Sequence, residues 1–92
     1  MIADLNNNPI DVTQVNVIGP YMLSVAFSDG TQRKISLERD LRTRLNKGMF
    51  KDLLDAQYFA QAFYDAEGHT VAWPNGIDLS PESLYSDFDV VV

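Results

Sequence analysis

The 92-residue chain has no cysteine and a single histidine, His69. The first absence excludes a disulfide framework and every thiolate metal site. It also removes the thiol nucleophile, leaving Ser and Thr residues that sit in turns, caps and strands, none paired with His69 by any recognisable spacing. Glycine-rich phosphate loops are missing too: Gly30, Gly48, Gly68 and Gly76 each stand alone as turn residues. No apolar run approaches the ~20 residues needed to cross a bilayer. The start, Met1-Ile2-Ala3-Asp4-Leu5-Asn6-Asn7-Asn8, has neither a basic head nor an apolar stretch, so no secretory leader is expected. A cytoplasmic protein with no membrane partner is the expectation.

Basic residues are absent everywhere except one segment. All seven (Arg33, Lys34, Arg39, Arg42, Arg44, Lys47, Lys51) lie between positions 33 and 51, where only Glu38 and Asp40 oppose them, for a local charge of +5. Asp4, Asp11 and Asp29 give the preceding residues −3, and eight carboxylates give residues 52–92 a charge of −8. The total is −6. Such polarity can orient a charged partner. Its ordinary reading is a solvated helix salt-bridged to the acidic remainder. Its functional reading is a docking face made by Arg39, Arg42, Arg44 and Lys47. With 46% apolar and 22% charged residues, the chain has the composition of one ordinary globular domain.

Hydrophobic spacing assigns the elements. Val12, Val15, Val17 and Ile18 suggest a first strand over about 12–18, which Gly19-Pro20 breaks. Tyr21, Leu23, Val25 and Phe27 alternate along a second strand, 21–27. Ser28-Asp29-Gly30 signals a hairpin, with Asp29-Gly30 suited to the positive φ angles of a primed turn. Thr31 to Ser36 returns antiparallel, with Arg33 on the face of Ile35. Leu37, Leu41 and Leu45 recur at helical spacing and predict a helix over 37–47, capped by Ser36 and stopped at Asn46-Lys47-Gly48. Phe50, Leu53 and Leu54 suggest a further short turn or helix. Phe59 to Tyr64 fits helix or strand. The turn Ala66-Glu67-Gly68 and the run Thr70-Val71-Ala72-Trp73 favour a strand and its hairpin partner. Asn75-Gly76 is a tight turn. Ser80-Pro81-Glu82 opens a helix that ends near Ser86, with Ser80 as cap and Pro81 needing no N–H partner. Phe88 to Val92 reads as a short added strand or a loose tail.

Three blocks of sequence then resemble a bacterial family, domain of unknown function 2442. They are Tyr21-x-Leu23-x-Val25-x-Phe27-x-Asp29-Gly30, Phe50-x-x-Leu53-x-Asp55-x-x-Tyr58-Phe59, and Val71-x-Trp73-Pro74-Asn75-Gly76-x-Asp78-Leu79-x-Pro81-x-x-Leu84-Tyr85. The third is the specific one. The resemblance implies a single α+β domain, a small antiparallel β-sheet built from hairpins and packed with two or three short helices. The family-like core runs from about 15 to 85, with 1–10 and 87–92 as loose ends. The motif residues Asp29, Gly30, Trp73, Pro74, Asn75, Gly76, Asp78, Leu79, Pro81, Leu84 and Tyr85 are expected to be structural. The resemblance also implies frequent encoding beside another small protein, in the style of toxin–antitoxin pairs. Some relatives append a C-terminal helix-turn-helix. This chain ends at Val92, so that route to DNA is not carried over, and there is no family active site to transfer.

Each chemical candidate has a plainer explanation. His69 with Asp65 and Glu67 could hold a metal, but the spacing matches no established site and a solvated turn accounts for it. Asp78 with Asp55 could act as a general base, yet carboxylates are common on an acidic chain. Trp73 with Tyr58 and Tyr85 could form an exposed aromatic patch. A Trp before a proline at a strand end is better read as a core anchor with its N–H bonded to a carbonyl. The expectation is therefore a non-enzymatic interaction module without cofactor or metal. Its partner would be another small protein, docking on Arg39, Arg42, Arg44 and Lys47 or on the edge of the first strand, Val12–Ile18. The alternative is a weak nucleic-acid-binding or regulatory module using the basic segment 33–51, which the net negative charge disfavours.

Overall fold

The computed structural model describes residues 10–91. Strands β1 (Val12–Gly19), β2 (Met22–Phe27) and β3 (Gln32–Ser36) form an antiparallel meander, and β6 (Asp89–Val90) adds to the far side of β3. Helix α1 (Glu38–Arg42), a 3-10 helix (Gly48–Leu54) and helix α2 (Ala56–Phe59) follow the meander. The hairpin β4 (Phe63–Asp65) and β5 (Thr70–Ala72) is a separate two-stranded sheet, and α3 (Pro81–Ser86) leads into β6. This is the α+β architecture expected.

Alternation decides which face of the meander is buried. Leu23, Val25, Phe27 and Ile35 point to the core, where they meet Leu37, Leu41, Leu53, Phe59, Val71, Trp73, Leu79 and Leu84. The opposite face carries Gln14, Asn16, Ser24 and Lys34 and is open. Trp73 is the largest fully buried side chain. Its indole N–H donates to the Phe59 carbonyl at 3.0 Å, and its ring lies 5.6 Å from that of Phe59. The core-anchor reading of Trp73 matches this geometry.

The same loop is used twice. At Ser28-Asp29-Gly30, the Phe27 N–H donates to the Thr31 carbonyl (2.9 Å) and the Gly30 N–H to the Phe27 carbonyl (3.0 Å). At Pro74-Asn75-Gly76, Trp73 N–H donates to Ile77 (2.9 Å) and Gly76 N–H to Trp73 (3.0 Å). In each, the glycine alone takes a left-handed φ of 89°. The side chain before it accepts from the residue two positions on, Asp29 from the Thr31 N–H (2.9 Å) and Asn75 from the Ile77 N–H (3.0 Å). The first hairpin therefore closes through three residues with one positive φ, not through the primed turn expected from Asp-Gly. A third corner, Pro20-Tyr21, has Tyr21 at φ 60°, a region that favours glycine. Its hydroxyl donates to the Leu54 carbonyl and its ring stands edge-on to Phe59 at 5.8 Å, contacts that hold the residue there.

Four other expectations are corrected. Helix α1 stops at Arg42 rather than near Lys47, because the Thr43 hydroxyl donates back to the Arg39 carbonyl (2.7 Å) and the chain leaves helical geometry at Thr43. Leu37 and Leu41 are buried all the same, and Leu45 packs at the core's rim. Ser36 ends β3 instead of capping α1, touching the Glu38 N–H only at 3.4 Å. Phe59 closes helix α2 rather than opening a strand, because Asp55 caps that helix, accepting from the Gln57 and Tyr58 N–H groups. Only 63–65 is strand. Residues 87–91 are not loose: Phe88 is buried and β6 pairs with Ile35 and Ser36. Ile10 is buried as well, whereas the rest of 1–10 lies outside the described residues.

Helix α3 begins as expected, with Pro81 in its first turn and Ser80 accepting from the Ser83 N–H at 3.1 Å. Replacing Ser80 or Asp55 by Ala removes a capping oxygen and should each cost about 1 kcal/mol. Urea unfolding of the two variants checks this. A change below the error of the measurement at either site would assign the capping to another group.

Candidate interaction surface

The basic segment is folded so that its charges separate into three kinds. Arg33 turns inward from β3. Its guanidinium donates to the Leu84 carbonyl (2.9 Å), the Tyr85 carbonyl and the Phe88 carbonyl (3.4 Å), the acceptors left bare at the end of α3. It is therefore part of the fold. Arg39, Arg42 and Arg44 project from α1 and the turn after it, with side chains 69%, 56% and 48% exposed. Each has one carboxylate: Arg39 reaches Asp89 at 2.8 Å, Arg42 reaches Glu38 at 3.2 Å, and Arg44 reaches Asp40 at 2.7 Å. Lys34, Lys47 and Lys51 are exposed and make no ion pair among the described residues. Arg39 and Arg42 thus lie on α1, and Arg44 in the turn that follows it. Two of their three partners belong to the segment's own helix and one to β6.

The three pairs differ in kind. Arg39–Asp89 and Arg42–Glu38 are exposed on both sides, where ion pairs contribute little. Asp40 is buried, and its second oxygen has no hydrogen-bond partner. Arg44 is its only ion-pair partner among the described residues, and the guanidinium also stacks 5.2 Å over the Phe88 ring. Arg42 lies 5.9 Å over the ring of Tyr21. The aromatic contacts keep both arginines directed along the surface.

The motif residues act as scaffold. Trp73, Leu79 and Leu84 are buried. Asp78 bridges to Ala72 and continues the hairpin beyond Gly76. Asn75 donates from Nδ2 to the Met49 carbonyl and to Asp52, both at 3.2 Å, which ties its loop to the 3-10 helix. Tyr85 donates from its hydroxyl to Asp29 at 2.7 Å, and its ring stands edge-on to Phe27 at 4.9 Å. The Thr31 N–H and the Tyr85 hydroxyl together hold the Asp29 carboxyl below its ordinary value.

An open depression is lined by Lys51, Asp52, Asp55 and Tyr58. Its carboxylates have structural uses, Asp52 on Asn75 and Asp55 on the start of α2. That gives Asp55 a role other than pairing with Asp78. His69 Nδ1 lies 3.3 Å from the Tyr64 hydroxyl, and Asp65 accepts from the Glu67 N–H within the same turn. Among the described residues no group of three His, Asp or Glu side chains could hold a metal ion, and no helix is long and apolar enough to cross a membrane.

A four-stranded antiparallel sheet with helices on one face, a satellite hairpin and a capped helix returning to the sheet defines a small α+β domain. The chain matches the model for Protein of unknown function (DUF2442) over residues 12–89 and belongs to that family. A solved structure shares the fold: the crystal structure of a "putative DNA binding protein" from Nitrosomonas europaea, 21% identical, with a TM-score of 0.61. The likeness covers 82% of this chain and 44% of that one, so this chain spans less than half the length of that protein. The search of curated proteins found no match.

Two measurements follow. Arg44→Ala should strand a buried carboxylate and cost about 2 kcal/mol, less than for a fully buried pair because Arg44 is half exposed. Adding Asp40→Asn should recover part of that loss in urea unfolding; no recovery would show that Arg44 acts through Phe88 alone. For Asp29, a depressed folded pKa means its contribution is present above the ordinary carboxylate range and lost as pH falls through the folded value. Tyr85→Phe removes one donor, so NMR titration should show the Asp29 pKa move up. An unmoved pKa would mean that the Thr31 N–H acts alone.

Proposed function

We propose that the chain is a non-enzymatic interaction module that binds another small protein through the arginine face of α1. The observation that supports this best is the pairing of Arg39 and Arg42. Both side chains are more than half exposed, and each is paired with one exposed carboxylate. Such a pair is worth about 0–1 kcal/mol, so an acidic partner can replace Asp89 and Glu38 at little cost. Guanidinium forks then read the incoming carboxylates in two-pronged geometry. Lys47 extends the surface with a positive charge that could steer the encounter. Arg44 has a different role, fixed on Asp40 and orienting the turn. The family resemblance points to a neighbour-encoded small protein as the partner, in the manner of a toxin–antitoxin pair.

A second reading is nucleic-acid binding by the same residues. The fold shared with part of a protein described as a "putative DNA binding protein" favours it. Against it, Glu38, Asp40 and Asp89 are interleaved with the arginines and would repel a phosphate backbone.

The test uses Arg42→Glu with Lys47→Glu, exposed changes that should leave the unfolding transition nearly intact. Binding of the neighbour-encoded protein, followed by calorimetry, should weaken roughly tenfold or more in the variant. Equal binding by wild type and variant would remove the arginine face from the account. Turnover of a small substrate by the purified chain would overturn the module reading. Duplex DNA binding that falls steeply with salt would move the conclusion to the second reading.

A further inference from the structure

The sheet has two edges, and they are defended differently. One ends in β6, only two residues long, with Asp89 held by Arg39. The other is β1, eight residues long and without a single charge. The uncharged stretch continues from Val12 to Ser28 in a chain of net charge −6. Edge strands are usually blunted by lysine, proline, inward charges, bulges or a covering element. β1 has no lysine, proline or charge. It has irregularities between Val12 and Gln14 and between Val17 and Gly19, which bracket a regular stretch, Gln14 to Val17, paired with Ala26 to Leu23. Among the described residues, its outer edge makes one backbone hydrogen bond outside the sheet, the Val12 N–H donating to the His69 carbonyl at 3.0 Å. The β4–β5 hairpin lies against this strand. Ile18 on β1 and Phe63 and Tyr64 on β4 are exposed, so among the described residues three of the five exposed large hydrophobic side chains belong to this flank.

We infer that the β1 edge is a self-association surface, where a second copy of this chain adds antiparallel across a two-fold axis centred on Asn16. Charge selects the occupant. A two-fold contact sets each strand against its own copy, and like charges placed directly opposite destabilise a sheet. β1 opposes only neutral residues. Side chains directly opposite one another share a face of the sheet, so the axis must pass through a residue. On Asn16 it sets Val15 against Val17 of the second copy on the core face, and Asn16 against its own counterpart on the open face. Val15 and Val17 already pack partly against the core, and the pairing buries what they still expose. The two four-stranded sheets become one eight-stranded sheet. The surface is separate from the arginine face of α1, and the inference does not depend on the function proposed above.

Sedimentation velocity of the full chain over a range of concentrations tests it. Wild type should show a monomer–dimer equilibrium. Asn16→Lys and Asn16→Glu each place two like charges at the axis and should weaken self-association roughly fivefold or more. An equimolar mixture of the two should restore it as a heterodimer, because only at the axis does a residue face its own counterpart. Circular dichroism of each variant confirms that the sheet has formed, and if one variant fails to fold, the other against wild type carries the comparison. A wild type that stays monomeric at the highest concentration, a dimer indifferent to both substitutions, or a mixture that fails to re-associate would overturn the inference.

Discussion

The structure depends on the burial of one indole. Trp73 is too large to leave in water and carries a donor that cannot be buried unpaired without cost. The Phe59 carbonyl accepts that donor, which fixes the end of α2 against the start of the Pro74–Gly76 loop. From there the contacts run outward in order. Phe59 meets the edge of Tyr21, Tyr21 bonds to the last residue of the 3-10 helix, and Arg42 lies over the Tyr21 ring. A surface arginine is thus placed by a chain of aromatic contacts that begins in the core. The strained φ of Tyr21 fits that role, since the corner is held by what its side chain touches.

The charges follow a similar logic. The run of basic residues from 33 to 51 is divided by the fold rather than displayed whole. Arg33 satisfies helix-end carbonyls, Arg44 satisfies a buried carboxylate, and only Arg39, Arg42 and the lysines are left near solvent on weak pairs or none among the described residues. Net charge on a segment therefore overstates the field it presents. Local pairing lowers the attraction for a polyanion, which needs many uncompensated cations. It need not do the same for a protein carboxylate, which can exchange one for one with Glu38 or Asp89.

What could be read in the sequence was whatever a short stretch determines by itself. Ser80-Pro81 starts a helix because both residues act on their own backbone, and Asn75-Gly76 turns the chain for the same reason. The core role of Trp73 was legible from the proline beside it. Helix α1 was overextended because leucine spacing persists to Leu45, while the Thr43 hydroxyl, a local competitor for the Arg39 carbonyl, ends the helix first. Asp55 two residues before Gln57 was an available capping signal that would have placed α2. By contrast, the partners of Arg33, Arg39 and Tyr85 lie about fifty positions away in the sequence and are set by tertiary packing, which no local pattern encodes.

The proposed binding face rests on Arg39 and Arg42, each paired with one exposed carboxylate. A double-mutant cycle on Arg39 and Asp89, with Arg42 and Glu38 as a second cycle, measures each pairing directly. The coupling should be below about 1 kcal/mol in each and fall further with salt. A coupling above about 2 kcal/mol that persists at high salt would make these pairs part of the fold, and the face would no longer be available to a partner.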